Sequence, residues 1–380
     1  MSYRKKEIDD ILLIIKNLFF YVNRTIRKLD NLITIRLLAL FVKRGNNPCQ
    51  YSDKNIFFIL ENIGDTICTL PAINYFKDRD IILICTEYNR EVINMTGLRD
   101  IIILNRDPGV FDAIKLLYKL KNHSFEYSLV LDYTKSGAFG VLISKMLKVK
   151  HILSGFDSLP GDIYTKEIIY NNPSVDILTL AKTSIAYPII KFDKIEKRVN
   201  LENSTEFNEF KGRIGFHIGG FGSVQYSVSR QYPLEYAYNI IKSLIEKNKV
   251  VITGDKSDRK SFAGFSKKLS ANSNFVNLAG ELTLKELGYL LQKVSMYITP
   301  DNGTLHLAQA VGCKKIYALL GPSSPELVRG ENTEIIRLSL WCSPCLIFLR
   351  SPDRCRNKIY HQCLKNLKPK VVLDRINLPN

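Results

Sequence analysis

Eight consecutive residues, Thr299-Pro300-Asp301-Asn302-Gly303-Thr304-Leu305-His306, carry the densest chemistry in this 380-residue chain. They follow the short apolar run 296–298 and open a helical pattern that continues through Gly312. A carboxylate at a strand end, then Asn-Gly-Thr, then a helix, gathers backbone N–H groups and a positive dipole end at one spot. Such a spot suits a phosphate or diphosphate. Gly303 lets the backbone approach it closely. As an anion itself, Asp301 is better suited to a ligand hydroxyl or to orienting the loop, and His306 faces the same place from the first helical turn.

A second junction of this kind lies far upstream, from Phe57 through Glu61-Asn62-Ile63-Gly64-Asp65-Thr66 to Leu70-Pro71-Ala72. A third candidate loop, Gly219-Gly220-Phe221-Gly222-Ser223, follows an apolar run and precedes a helical one. It is not Gly-x-Gly-x-x-Gly, and a long insertion separates it from Arg230. His217, inside that apolar run, reads as packing. Asp78-Arg79-Asp80 spells a metal-binding Asp-x-Asp but falls at a helix-to-strand turn, the wrong end of a parallel sheet for a ligand. Gly-x-x-x-x-Gly-Lys, Gly-x-Ser-x-Gly and His-Glu-x-x-His are all missing from the sequence.

The elements that must hold these residues alternate. Strands are expected at 56–60, 81–85, 101–104, 128–132 and 166–170, with helices at 66–76, 89–95, 111–121 and 137–147. After a polar stretch, 191–211, the alternation restarts. Strands are expected at 214–218, 250–253, 275–278, 296–299 and 315–320, and helices at 233–247, 258–269, 284–294 and 305–311. Continuous apolar strands between helices predict parallel sheets covered on both faces. The fold class is therefore α/β: two Rossmann-like, doubly wound domains, with ligands at the carboxyl ends of the strands. The expected division is an amphipathic extension (1–53), a first domain (54–190), a linker (191–211), a second domain (212–340) and a Cys-rich tail (341–380).

Composition sets the class of partner. Hydrophobic content of 46% and charged content of 24% describe a globular protein, and 54 Lys+Arg against 37 Asp+Glu give a formal charge of +17. Without basic runs interleaved with aromatics, that charge points away from nucleic acid and toward phosphorylated small molecules, glycolipids or an anionic membrane. In the first 45 residues, basic and polar side chains interrupt every apolar run well short of the ~20 residues a spanning helix needs. This extension reads either as an interfacial basic helix or as a helix packed on the protein or on a sister subunit.

The motifs together resemble glycosyltransferase family 9, the heptosyltransferase type. Glu61 to Ala72 resembles that family's Gly-Asp…Pro-Ala signature, and Asp301-Asn302-Gly303-Thr304-Leu305-His306-Leu307-Ala308 its Asp-Thr-Gly-x-x-His-Leu-Ala motif. Leu278 to Leu287 resembles its Leu-x-Gly-x-x-x-Leu-x-Glu-Leu segment. Arg230-Gln231-Tyr232-Pro233 stands where the family has Lys-x-Trp-Pro, and Gly254 to Asp258 fits its Gly-rich turn.

The resemblance implies a GT-B fold and inverting sugar transfer from a nucleotide diphosphate donor, ADP-heptose suspected, without a catalytic metal. The acceptor it implies is a lipopolysaccharide core or other surface glycan, and the place a cytoplasmic, peripheral position on the inner membrane. Asp65 becomes the base that removes the acceptor's hydroxyl proton, with Gly64 and Thr66 beside the acceptor. Its alternative is a helix N-cap. Donor contacts fall to Gly219, Gly220, Arg230, Asp258 (ribose), Asp301, Asn302, Gly303, Thr304 and His306, and the developing charge on the leaving group calls for fixed donors. Arg for Lys at position 230 keeps the charge and gives a forked donor. The rival readings are a nucleotide-sugar epimerase of the same shape and a non-catalytic scaffold.

Eight cysteines complete the reading. Cys49, Cys68, Cys85 and Cys313 sit singly, the last three in apolar or helical context as buried thiols. Cys342, Cys345, Cys355 and Cys363 cluster as C-x2-C-x9-C-x7-C. Structural zinc or iron, packed thiols and disulfides all remain open for them.

Overall fold

A computed structural model describes residues 54–76, 79–132, 135–155, 174–186, 195–199, 201–202, 204–219, 228–347, 355–376 and 378. The extension 1–53, the strand expected at 166–170, Gly220 and Asp78 lie outside the described residues. Contacts divide the chain into two compact units. One runs up to Glu61 and adds 78–90 and 99–159; the other takes 62–77, 91–98 and everything from 160.

The first unit is built on a parallel sheet of β1 (Asn55–Ile59), β2 (Ile81–Thr86), β3 (Ile101–Leu104), β4 (Tyr127–Val130) and β5 (His151–Ser154), in the order β3-β2-β1-β4-β5. All of β1 is buried, as a central strand covered on both faces must be. Gly140 lets its helix lie close on this strand, since a Cβ there would stand 2.9 Å from Cγ of Phe58. The helices of this half of the chain are α1 (Ile63–Ile67), α2 (Leu70–Phe76), α3 (Arg90–Asn94), α4 (Val110–Leu120), α5 (Lys135–Met146) and α6 (Ile177–Ala186).

The single helix expected at 66–76 is two. Pro71 has no N–H and fits only a first helical turn, so α2 starts afresh. The Thr69 hydroxyl donates to the carbonyl of Thr66 at 2.6 Å in the break. Strand β5 was not expected from the sequence. It is a four-residue edge strand, partly exposed along its length, and has no continuous apolar run.

The second unit holds β6 (Ile214–His217), α7 (Leu234–Leu244), β7 (Val250–Thr253), α8 (Lys256–Leu269), β8 (Phe275–Asn277), α9 (Leu284–Lys293), β9 (Met296–Pro300), α10 (Gly303–Ala310), β10 (Ile316–Leu319) and β11 (Thr333–Ile336). Helices α11 (Gln362–Lys365) and α12 (Pro369–Leu373) follow. Its strands are parallel in the order β11-β10-β9-β6-β7-β8. Gly215 of β6 pairs with Tyr297 of β9, and a Cβ there would lie 2.6 Å from the Tyr297 ring. The glycine makes room for a fully buried tyrosine whose hydroxyl is 2.8 Å from the Thr253 hydroxyl.

Each sheet reverses its winding at one place, between β1 and β4 and between β6 and β9. Such switch points are where ligands bind in doubly wound sheets. The Gly64–Asp65 turn follows β1, the Gly219 loop follows β6, and the Asp301–Gly303 turn follows β9. Among the described residues, no helix is long and apolar enough to cross a membrane.

Candidate active site

Asn302 builds the late turn. As N-cap of α10, its side-chain Oδ1 accepts the N–H of Thr304 at 3.0 Å, the N–H of Leu305 at 3.3 Å and the Thr304 hydroxyl at 2.6 Å. Thr304's N–H, expected to be free for an anion, is thus taken by the cap. The side-chain Nδ2 of Asn302 is buried without a partner among the described residues.

Asp301 anchors the other side of this turn. Its Oδ2 accepts the Ser323 hydroxyl and pairs with Arg230 Nη1 at 3.3 Å. Arg230 enters from a short 3-10 turn, Val228–Arg230. Its Nε is a second buried donor without a partner among the described residues. Two orphaned donors beside a helix N-terminus are a costly arrangement unless something anionic satisfies them.

The early turn lies against the late one inside the second unit. A Cβ on Gly303 would be 3.5 Å from the backbone nitrogen of Gly64 and from Cγ2 of Ile63. A Cβ on Gly64 would be 3.2 Å from Cδ2 of His306. Asp65 stands in the first turn of α1, at its third residue; the cap position belongs to Asn62, whose Nδ2 lies 3.4 Å from Asp65 Oδ2. Thr66 is buried and donates its hydroxyl to the Asn62 carbonyl at 2.9 Å, so that hydroxyl serves the backbone.

The Gly219 loop rests on Asp258. A Cβ on Gly219 would fall 1.8 Å from the Asp258 carboxylate, and one on Gly254 would fall 2.7 Å from its Cβ. Asp258 is 1% exposed and shares a reciprocal cap with Asp255, each carboxylate accepting the other's N–H at 2.8 Å. Asp258, expected at the donor ribose, is also the residue that completes the cap of α8. His217 is packing, as expected: it is buried, its Nδ1 lies 3.3 Å from the Thr253 hydroxyl, and burial lowers its pKa to about 4.

Behind His306 lies a buried cluster that the sequence did not mark. Lys197 Nζ is 2.5 Å from Asp176 Oδ2, 2.7 Å from Gln309 Oε1 and 3.3 Å from His306 Nδ1. Cys68 Sγ sits 3.7 Å from His306 Nδ1 and 3.8 Å from Asp176 Oδ1. Burial opposes both charges of the Lys–Asp pair, but each more than restores the other, so Lys197 is raised and Asp176 lowered. Burial and then Lys197's charge lower His306 to about 4. Burial also pushes the Cys68 thiol well up. Lys197 falls within the expected polar linker, where nothing in its neighbours distinguishes it from a solvated charge.

Cys68, Asp176 and His306 are, among the described residues, the one group of three whose ligand atoms all lie within 4.8 Å. The Lys197 ammonium already supplies the cation there. The tail cysteines are free thiols, with Cys363 buried and the others half-buried. Asn357 Nδ2 donates to Cys342 Sγ at 3.3 Å, and the N–H of His361 to Cys355 Sγ at 3.4 Å. Burial and then the neighbouring cysteines raise Cys345, while Cys363 is raised by burial to about 11.

Comparison with known proteins follows the same lines. A family model described as glycosyltransferase family 9 (heptosyltransferase) matches residues 214–353. Lipooligosaccharide heptosyltransferase 2 of Campylobacter jejuni is 23% identical over 326 residues, covering 82% of this chain and 94% of that protein. The structure of E. coli ADP-heptose lipopolysaccharide heptosyltransferase II matches with a TM-score of 0.57 at 17% identity, over 84% of this chain and 96% of the other. E. coli heptosyltransferase WaaC with ADP-2-deoxy-2-fluoro heptose gives 0.57 at 12% identity, over 84% and 98%. The two parallel doubly wound sheets and these solved structures give the chain a GT-B fold, and its residues 214–353 are similar to glycosyltransferase family 9.

Proposed function

We propose that this enzyme transfers heptose, with inversion and without a catalytic metal, from ADP-heptose to a lipopolysaccharide-core acceptor. The observation that carries this reading is the packing of the Gly64–Asp65 turn on the Asn302–His306 turn beside two orphaned donors. Asp65 is the base that takes the proton from the attacking hydroxyl. The negative charge building on the departing diphosphate is met by Arg230, by Asn302 Nδ2 and by the N-terminus of α10. Asp301 aims Arg230 rather than touching phosphate. The heptosyltransferase relatives support the choice of sugar and acceptor.

The test is purified protein with a panel of nucleotide sugars and a lipid extract, reading nucleoside diphosphate release and transferred sugar. ADP-heptose with a truncated core should give both products. An Asp65→Asn variant should still bind donor while turnover falls about 10²- to 10⁴-fold, the usual worth of a positioned base. Unchanged turnover would remove Asp65 from the role. Donor consumed without acceptor, returning an epimer, would turn the reading to an isomerase.

Two finer assignments belong with this reading. The four tail thiols close on a structural zinc or iron, a staple rather than a reaction centre, only by drawing nearer together, since no three of their sulfurs lie within 4.8 Å of one another; Asn357 and His361 supply N–H···S contacts of the kind a thiolate cluster needs. Elemental analysis of the intact protein against a Cys342→Ser variant tests it. The enzyme also works at an anionic membrane, where its lipid-linked acceptor sits. Support comes from α4, which buries Ala113, Leu116 and Leu120 yet leaves Phe111 (86%), Ile114 (58%) and Tyr118 (71%) exposed along one face. Lys115, Lys119 and Lys121 border that face, with Lys121 Nζ 4.1 Å from the Tyr118 ring centre. Apolar side chains ringed by lysines fit an anionic interface.

A further inference from the structure

A neutral imidazole carries its hydrogen on one nitrogen and accepts with the other, and its neighbours decide which. The neighbours of His306 Nδ1 are Lys197 Nζ at 3.3 Å and Cys68 Sγ at 3.7 Å. An ammonium has only hydrogens to offer, and it decides the matter, because the single thiol hydrogen of Cys68 goes to Asp176 Oδ1 at 3.8 Å. Nδ1 must therefore accept, which leaves the hydrogen on Nε2. That edge of the ring faces Gly64: a Cβ there would lie 3.2 Å from Cδ2 and 3.9 Å from Nε2. Nε2 has no hydrogen-bond partner among the described residues.

We propose that Lys197 is a positioning residue that fixes His306 as its Nε2–H tautomer. The ring then presents a neutral N–H, beside the Gly64–Asp65 turn, to an anionic oxygen of the bound nucleoside diphosphate. The second step rests on the transfer reading above; the first does not. Asp176 holds the ammonium at 2.5 Å and Gln309 at 2.7 Å, so its direction is set by two acceptors on different segments. The opposite tautomer would turn a lone pair toward the phosphate oxygens, where it repels. The charged groups acting on the ring are Lys197 and Arg230, which disfavour its protonation, and Asp176 and Asp301, which favour it. With burial added, the ring stays neutral at neutral pH, so its role is that of a fixed donor and not of a titrating acid.

The full-length protein labelled with ¹⁵N-histidine tests this by long-range ¹H–¹⁵N correlation, with His306→Gln giving the assignment. His306 should show a protonated Nε2 and a bare Nδ1 from about pH 6 to 8, without donor present. Lys197→Met alone strands the buried Asp176 carboxylate, so the working variant is Lys197→Met with Asp176→Asn, which removes both charges. In it the tautomers should mix. Turnover should fall about tenfold, the worth of one hydrogen bond, with donor KM changed far less. Lys197→Arg should restore the Nε2–H pattern and most of the rate. A bare Nε2 in the parent protein, or an unchanged tautomer once Lys197 is gone, overturns the proposal. Because the tautomer is read without substrate, the expected pattern in a protein that releases no nucleoside diphosphate would sink the transfer reading alone.

Discussion

Gly64 and His306 meet with no room for a side chain between them: a Cβ on Gly64 would stand 3.2 Å from Cδ2 of the imidazole. That distance is tighter than ordinary van der Waals contact, and the ring is pinned from behind by Lys197 and Cys68. Gly64→Ala should therefore move the turn that carries Asp65. The substitution adds helix propensity of up to about 1 kcal/mol in α1, which offsets the crowding. Thermal unfolding should stay within a few degrees of the parent while turnover falls tenfold or more. A variant with normal turnover would show that the contact does not position the base.

The two buried histidines predict acid sensitivity with a definite sign. His217 and His306 both have folded pKa values lowered from 6.5 to about 4, chiefly by burial. The unfolded chain thus binds more protons between those limits, and folding stability is lost as pH falls from 6.5 toward 4. Above 6.5 the contribution is fully present. Each ring accounts for roughly 3 kcal/mol across that window. Urea midpoints measured from pH 7 to pH 4 should decline, and His217→Gln should remove part of the slope. A flat profile would mean the rings are not held neutral by burial.

Two glycines of the second unit should respond in opposite directions. At Gly219 a Cβ would sit 1.8 Å from the Asp258 carboxylate, so Gly219→Ala must break the cap of α8 or displace the loop. The expected cost is about 1–3 kcal/mol, with weaker donor binding. At Gly264, inside α8, nothing lies within 4 Å of the added carbon, and alanine should stabilise by about 0.5–1 kcal/mol. Paired denaturant titrations would check both; a neutral Gly219→Ala would contradict the close approach.

Membrane association should localise to α4. Replacing Phe111, Ile114 and Tyr118 together by serine leaves the buried face, Ala113, Leu116 and Leu120, untouched. The parent should float with vesicles containing anionic lipid, less so at high salt, and the triple variant should not. Equal flotation of both would move the contact elsewhere, the N-terminal 1–53 being the next place to look.

The framework was legible in the sequence because central strands such as 56–60 and 296–299 are continuous apolar runs between helical patterns. Their observed bounds, Asn55–Ile59 and Met296–Pro300, differ by a residue. Two of the four edge strands were not: β5 and β11 are four residues long and mostly half exposed, so their pattern carries little signal. The Asn302-Gly303 turn between strand and helix could be read directly, but not that the Asn302 side chain would cap α10 and take the N–H of Thr304. Roles that depend on distant partners could not. Lys197 stands in a polar stretch and becomes buried only because Asp176, 21 residues earlier, and Gln309, 112 residues later, accept its hydrogens.

The Lys197 cluster also bears on engineering by exchange of halves. Cys68, Asp176 and Lys197 come from the first 200 residues, and His306 and Gln309 from beyond 300. A chimera spliced near residue 211 to graft a relative's sugar specificity would keep the ammonium but replace the ring and the amide it addresses. Unless the incoming segment matches those two positions, such a hybrid keeps the Lys197–Asp176 pair but leaves the buried ammonium without its other two acceptors. Productive crossovers must inherit all five residues from a single parent.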